Sequence, residues 1–473
     1  MNMKNQIFIW VLLTTIGMSA CSNWLDVQPK TSVNEEKLFS REMGFKEALT
    51  GLYAQLSDTN LYGRTMTYGF IDRLAQRYND QENKELYTFP SNLNEDYINT
   101  IWARSYNVIA NINNFLSWLD KRPEVITTKG YPEIMKGEAL GLRAFVYFDL
   151  LRLWGPVYKN NPSMRCLPYR SQFNREDKML LPASEIIGYI EQDLKQAEKL
   201  LVNDPMHIEF PVYDIVLAGD PFLHYRLKRM NLYAVKAMLA RVYLWKGETS
   251  KTEAARYARE VIDAVDENHN LRFRLVTDNS TDPTYSTEII FSLNVNKFSD
   301  QVKKDFAFDG PYAVAEKNRV YKMFNTEEDG FNDMRIREGQ GFNFSAKAGY
   351  CRKYDQNNLY SFVIGNAVPL IRLSEMYYIL SECETDLNKA ADWVSQIRTA
   401  RGGEELIFRD NDDRISKLEL EYRKEFYGEG QLWYFLKRNF RPTFLDCPLD
   451  YNMTDANYCF STPDDEVILG TIN

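Results

Sequence analysis

Two stretches far apart in the chain follow one plan, and that plan sets the architecture. In "NLYAVKAMLARVYLWKGETSKTEAARYAREVI" (231–262), Ala240, Tyr243 and Gly247 supply a small residue, an aromatic and a turn glycine at helical spacing. Ala254, Ala258 and Val261 follow at the spacing of a second helix. "LSEMYYILSECETDLNKAADWVSQI" (373–397) repeats this with Ser374, Tyr377 and Ser381, then Ala390, Val394 and Ile397. Small residues on facing stripes let two antiparallel helices approach closely.

The spacing resembles that of tetratricopeptide-type helix pairs, with a longer turn in the first copy. The copies are too degenerate and too widely separated for a regular solenoid. "GEALGLRAFVYFDLLRLWG" (137–155) predicts another helix, with Leu140, Ala144, Phe148 and Leu151 on one stripe and Gly155 and Pro156 ending it. "LPASEIIGYIEQDLKQAEKLL" (181–201) predicts the next, started by Pro182 and Ser184. Its apolar positions are Ile186, Ile190, Leu194, Ala197 and Leu201. Residues 266–370 read as loop-rich, with one strand at "EIIFSLNV". The expected class is mainly α, with irregular helix pairs, long loop-rich insertions and a few short strands.

The N-terminus reads as a targeting segment. Lys4 gives a positive start, Ile7–Met18 a mostly apolar run, and Ser19 and Ala20 lie directly before Cys21. The run is shorter than the roughly 20 apolar residues a bilayer requires. Small residues before a cysteine are the arrangement of a bacterial lipoprotein signal, although Met18 stands where such signals usually place Leu. Cys21 is then the acylated mature N-terminus, anchored by about 0.8 kcal/mol per buried methylene. Residues 21–34, with Pro29, form a tether.

A net charge of −9 without basic runs argues against nucleic acid as a partner. Cys166, Cys351, Cys383, Cys447 and Cys459 lack the spacing of a disulfide framework or zinc site. Cys447 and Cys459 either bridge or remain two thiols. His207, His224 and His269 are isolated, and no HExxH, GxSxG or phosphate-binding loop is present. No cofactor, metal or catalytic residue is expected.

Five motifs in order resemble the SusD/RagB family of surface nutrient-binding lipoproteins. They are "CSNWLDVQPK" after the leader, "IWARSYNVIANINNFL" (101–116), "RAFVYFDLLRLWGPV", "VPLIRLSEMYYILSECE" (368–384) and "LELEYRKEFYGEGQLWYFLKR" (418–438). Tyr422 and Leu432 replace arginines expected from the family pattern, and Phe435 replaces an aspartate. The resemblance implies one SusD-like helical domain over 35–473. It would comprise an N-terminal part to about 265, a loop-rich insertion to about 367, and a C-terminal part thereafter. It also implies a non-catalytic outer-membrane protein that captures glycan, or peptide, for a TonB-dependent transporter. The alternatives are a membrane-anchored interaction scaffold, and a hydrolase with an unrecognised site.

Glu421, Arg423, Glu425, Glu429 and Arg438 are expected to form ion pairs that orient helices, and Arg372 and Glu375 to fasten a helix start. A sugar site needs aromatic platforms and planar polar side chains. "SDTNLYGRTMTYGFIDRLAQRYND" (57–80) offers Tyr62, Arg64, Tyr68, Asp72, Arg73, Arg77 and Asn79. Trp102, Tyr285, Tyr312 and Arg319 complete the candidate set, each also compatible with a place in the core or in a solvated loop.

Overall fold

The computed structural model describes residues 35–78, 84–87, 94–174, 176, 179–208, 221–307, 312, 317–325, 332–345, 348–356 and 365–463. The helices that carry the architecture are α1 (Glu42–Leu56), α2 (Phe70–Leu74), α3 (Glu95–Lys121), α4 (Tyr131–Trp154), α5 (Ala183–Leu200), α6 (Leu232–Lys246) and α7 (Lys251–Ile262). After the insertion come α10 (Leu373–Cys383), α11 (Leu387–Ala400), α12 (Asn411–Glu425) and α13 (Gln431–Asn439); α8 (Phe298–Asp305) and α9 (Lys317–Phe324) lie within the insertion. No helix among the described residues is long and apolar enough to cross a membrane.

Both repeated stretches form antiparallel pairs, α6 with α7 and α10 with α11, and α7 packs on α10 to join them. Asn231 caps α6 by accepting the Ala234 amide, and Asp386 caps α11 by accepting those of Asn388 and Lys389. α4 is buried on every side from Gly137 to Trp154, making it the central post. Two glycines permit this. A Cβ on Gly137 would lie 2.7 Å from Leu201, and one on Gly141 2.5 Å from Met230. The predicted stripe of α5 is buried as expected. One connected apolar cluster runs from Phe39 to Phe460.

The loop-rich region is more ordered than its sequence suggests. Its strand β3 (Ile289–Asn294) pairs antiparallel with β6 (Ala367–Arg372), so the excursion leaves and returns through one ribbon. Two small hairpins add β1 (Arg165–Pro168) with β2 (Leu180–Pro182), and β4 (Phe342–Phe344) with β5 (Gly349–Cys351).

Where β6 becomes α10, Arg372 enters a fully buried charge cluster. It contacts Glu425 at 2.7 Å, Glu429 at 2.8 Å and Glu288 at 3.1 Å. Arg401 contacts Glu288 at 2.8 Å and Glu425 at 2.7 Å, and Arg335 reaches Glu421 and Glu425, both at 3.0 Å. Arg398 binds Glu421 at 2.7 Å, and Lys353 binds Glu429 at 2.6 Å. The expected ion pairs of Glu421, Glu425 and Glu429 are thus present, whereas Arg423 lies 4.0 Å from Glu419 and donates instead to the Ala75 carbonyl; Arg372 ties β6 to α12 and its following turn. Arg241 of α6 meanwhile grips Glu375 of α10. Arg438 makes a two-pronged contact with Glu382, both at 2.7 Å.

Burial would raise the Glu425 pKa, but Arg401, Arg372 and Arg335 hold it well below the carboxylate range. Glu421, under the opposed actions of burial and Lys424, Arg335 and Arg398, falls to about 2. Removing one partner strands the others without water. Arg372→Ala is therefore expected to lower unfolding free energy by about 3–5 kcal/mol, measured by urea denaturation. Because these carboxyl pKa values are depressed on folding, their stabilisation is complete above about pH 4.5. It is lost as pH falls toward about 2. The urea midpoint should drop across that window, and less steeply in Glu421→Gln than in the parent.

Candidate ligand-binding site

The stretch 57–78 folds as successive turns around α2. Asp72 is fully buried and accepts the amide N–H groups of Gly428 at 2.7 Å and Gly430 at 3.2 Å. Burial raises its pKa, opposed by Arg77 and these two amides. Gly428 and Gly430 have φ of +78° and +73°, which only glycine adopts readily in this tight turn between α12 and α13. Arg77 donates to the carbonyls of Tyr422 and Arg423 in the last turn of α12, where a cation is favoured. Arg319, on α9, donates to the Gln76 and Tyr78 carbonyls and pairs with Asp446, each at 2.8 Å. The donors of these residues are directed into the protein.

Tyr68 centres a buried aromatic nest, none of whose five rings is more than 8% exposed. Its ring lies 5.4–6.0 Å from those of Phe298, Phe306, Tyr312 and Tyr354. Its hydroxyl donates to Asp305 at 2.9 Å and accepts from Gln301 at 2.6 Å, both on α8. At the rim, Arg64 stands 3.9 Å from Asp305 with 31% of its side chain exposed. Its Nε has no hydrogen-bond partner among the described residues. Tyr97 stacks on Phe70 at 4.6 Å and 5°, and is half-buried.

The electrostatics show which groups converge. The Tyr312 hydroxyl is pushed up by burial and by Tyr97, while Arg64 and Arg73 act in the opposite direction. The Asp305 carboxyl is raised by burial, against the Tyr68 hydroxyl and Arg64. Tyr68 and Arg64 reach the Asp305 side chain, and the Tyr312 amide donates to the Asp305 carbonyl at 3.1 Å. Gln301, Asp305 and Tyr97 join them although the sequence reading did not single them out. A detectable signal was the Phe298, Val302, Phe306 stripe at i, i+4, i+8, which marks α8 as amphipathic. Together the group offers aromatic rings, guanidinium donors and amide and carboxylate acceptors.

The remaining candidates lie elsewhere. Tyr62 packs on Phe145 at 5.0 Å with its hydroxyl beside Asp149. Trp102 is a core residue, 5.1 Å from Trp154 and 4.8 Å from Tyr106. Tyr285 lies beneath the guanidinium groups of Arg401 and Arg372, at 4.5 and 5.4 Å. Asn79 and Cys21 fall outside the described residues. Cys447 and Cys459 are separate thiols. No group of three or more His, Cys, Asp or Glu among the described residues is arranged to hold a metal.

Comparisons with known proteins identify the family to which this helical scaffold belongs. The family model described as "Starch-binding associating with outer membrane" matches residues 23–212, and that of the SusD family matches 242–467. The chain belongs to the SusD/RagB family. A SusD-like protein of Formosa agariphila, P38, is 25% identical over 260 residues, covering 53% of this chain and 44% of the relative. A SusD-like protein of Bacteroides ovatus is 22% identical over 274 residues, covering 55% and 44%. The chain thus spans less than half the length of these relatives. A SusD superfamily protein from Bacteroides thetaiotaomicron superposes with a TM-score of 0.68 at 18% identity, covering 92% of this chain and 99% of that one. A SusD-like carbohydrate binding protein from Bacteroides vulgatus gives 0.67 at 18% identity, covering 91% and 96%. These likenesses establish the fold.

The inward-facing and rim residues should separate experimentally. Asp72→Ala leaves two buried amides unpaired and is expected to cost about 2 kcal/mol or more. Arg64→Ala should change stability by no more than about 0.5 kcal/mol. Parallel urea titrations read both.

Proposed function

We propose that this protein is a non-catalytic, lipid-anchored binding protein of the outer surface of a Gram-negative bacterium. It captures a glycan and delivers it to a partner TonB-dependent outer-membrane transporter. The observation carrying this reading is the Tyr68 nest, with Gln301, Asp305 and Tyr312 in its wall and Arg64 partly exposed beside it. Ring faces suit the apolar faces of sugars, while guanidinium, amide and carboxylate groups suit hydroxyls. The matching starch-binding family model and the similarity to the carbohydrate binding protein of B. vulgatus lend weight to glycan over peptide.

In this reading residues 1–20 are removed, Cys21 is acylated, and residues 21–34 hold a single domain of 35–473 off the membrane. The continuous apolar cluster from Phe39 to Phe460 supports one domain. Within the predicted ligand set, Arg64 and Arg73 contact ligand, and Tyr312 backs them from within the nest. Tyr68, Asp72, Arg77 and Arg319 hold the walls, and Asn79 borders the same stretch. Tyr62, Trp102 and Tyr285 support the scaffold.

Calorimetric titration against glycan and peptide panels, with product analysis on the same samples, tests the function. Binding of at least one glycan without turnover is expected, with affinity falling about tenfold or more in Arg64→Ala, or about 1.4 kcal/mol. Turnover would instead indicate a hydrolase; binding of peptides alone would reverse the ligand class. Mass spectrometry of the membrane-extracted protein should find an acylated Cys21 as its first residue.

A further inference from the structure

Five helices meet around a cavity of about 30 Å³, with α4, α6, α10, α12 and α13 each supplying part of its wall. Every lining residue is buried except Gln431 and Arg438, which are half-buried. One water takes about 10–15 Å³ of such space, so the cavity admits a monatomic ion or about two waters, but no sugar ring.

The wall is rich in donors. Three guanidinium groups line it, those of Arg152, Arg241 and Arg438, against the single carboxylate of Glu375. Two further lining groups are buried without a hydrogen-bond partner among the described residues, the Trp245 indole Nε1 and the Tyr434 hydroxyl. The Tyr434 ring is fixed under the Arg152 guanidinium at 3.5 Å. Burial and Asp149 raise the pKa of its hydroxyl, against Arg152 and Arg241, so it keeps a proton to donate. Arg241 Nη1 has only the Met238 sulfur, at 3.9 Å.

The acceptors, in contrast, are already engaged. Both oxygens of Glu375 are held by Arg241, at 2.5 and 2.6 Å. Gln431 Oε1 accepts from Arg152 at 3.3 Å. Beyond the lining, Asp149 binds Arg152 at 3.0 Å, and Glu382 binds Arg438 through two contacts of 2.7 Å. An indole and a guanidinium can only donate. A water placed among them finds donors for its lone pairs but few free acceptors for its two hydrogens. A monatomic anion accepts on every side and has nothing to donate. An unpaired buried donor costs about 1–3 kcal/mol, so its occupant is worth holding.

We propose that this cavity is a binding site for a small halide anion of the size of chloride. The anion bridges donors of α6, Trp245 and Arg241, to donors of α13, Tyr434 and Arg438, and so fastens the C-terminal helices to the repeated pairs. It is independent of the Tyr68 nest and of the ligand bound there.

The test uses the parent chain with Trp245→Phe and Tyr434→Phe, which keep an aromatic ring and remove one donor each. Thermal melting is followed as sodium gluconate is exchanged for sodium chloride or bromide at constant ionic strength, each protein being read against its own gluconate baseline. The parent Tm is expected to rise saturably, by about 2–3 °C at a hundredfold excess over Kd, and both variants should lose at least half of that rise. Parent crystals soaked in bromide should show an anomalous peak in the cavity, a readout that does not depend on the variants folding. Ordered water there with no bromide peak, or halide responses identical in all three proteins, overturns the site.

Discussion

The buried contact between Arg372 and Glu425 is the constraint around which the molecule is organised. Arg372 stands at the junction of β6 and α10, and Glu425 ends α12. Neither is reached by water, so each must be matched by charge and by directed hydrogen bonds. Glu288, Glu429 and Arg401 complete the match. A cluster with this many fixed partners admits few arrangements of the elements that supply them. It therefore orients the ribbon of the insertion against the helix pairs. The candidate site lies one turn away. Glu429 belongs to the cluster, while the amides of its neighbours Gly428 and Gly430 hold Asp72. The loop carrying Arg64 and Tyr68 is thereby fastened to the charge cluster through three consecutive residues.

Aromatic rings provide a second continuity. From Tyr97 at the nest the contacts pass through Phe70, Phe460, Trp154, Trp102, Tyr106, Tyr147 and Tyr169 to Tyr189, with successive centroids 4.4–6.2 Å apart. Much of the 14% aromatic content is thus scaffold. Rings held this way have little conformational freedom left to lose.

The helices were legible because their burial is periodic. Ile186, Ile190, Leu194 and Ala197 announce α5, and the small-residue stripes announce α6 and α10. Arg372 and the acids of α12 were legible through family motifs. The surroundings of the site were harder to read. Arg77 and Arg319 stand in stretches rich in polar and aromatic residues, as ligand-contacting groups do. Their acceptors, however, are carbonyls more than 240 residues away in sequence. Spacing along one chain carries no record of which distant carbonyl lacks a donor. α8 was obscured differently: it is short, with charged residues crowding its apolar stripe.

The departures from the family pattern show how such a framework tolerates change. Tyr422 and Phe435 occupy positions where an arginine and an aspartate are expected. Their rings lie 4.4 Å apart, and Tyr422 also packs on Tyr378 and Phe426. Two positions with opposite expected charges are both aromatic here and touch each other. A well-packed apolar pair in place of a buried ion pair is commonly neutral or stabilising. The adjacent Arg438–Glu382 pair continues to join α13 to α10, with the Arg438 guanidinium 5.6 Å from the Phe435 ring. Orientation of α13 is thus shared between one retained ion pair and one aromatic contact. The central cluster at Arg372 has no such freedom, because each of its charges answers to several partners at once.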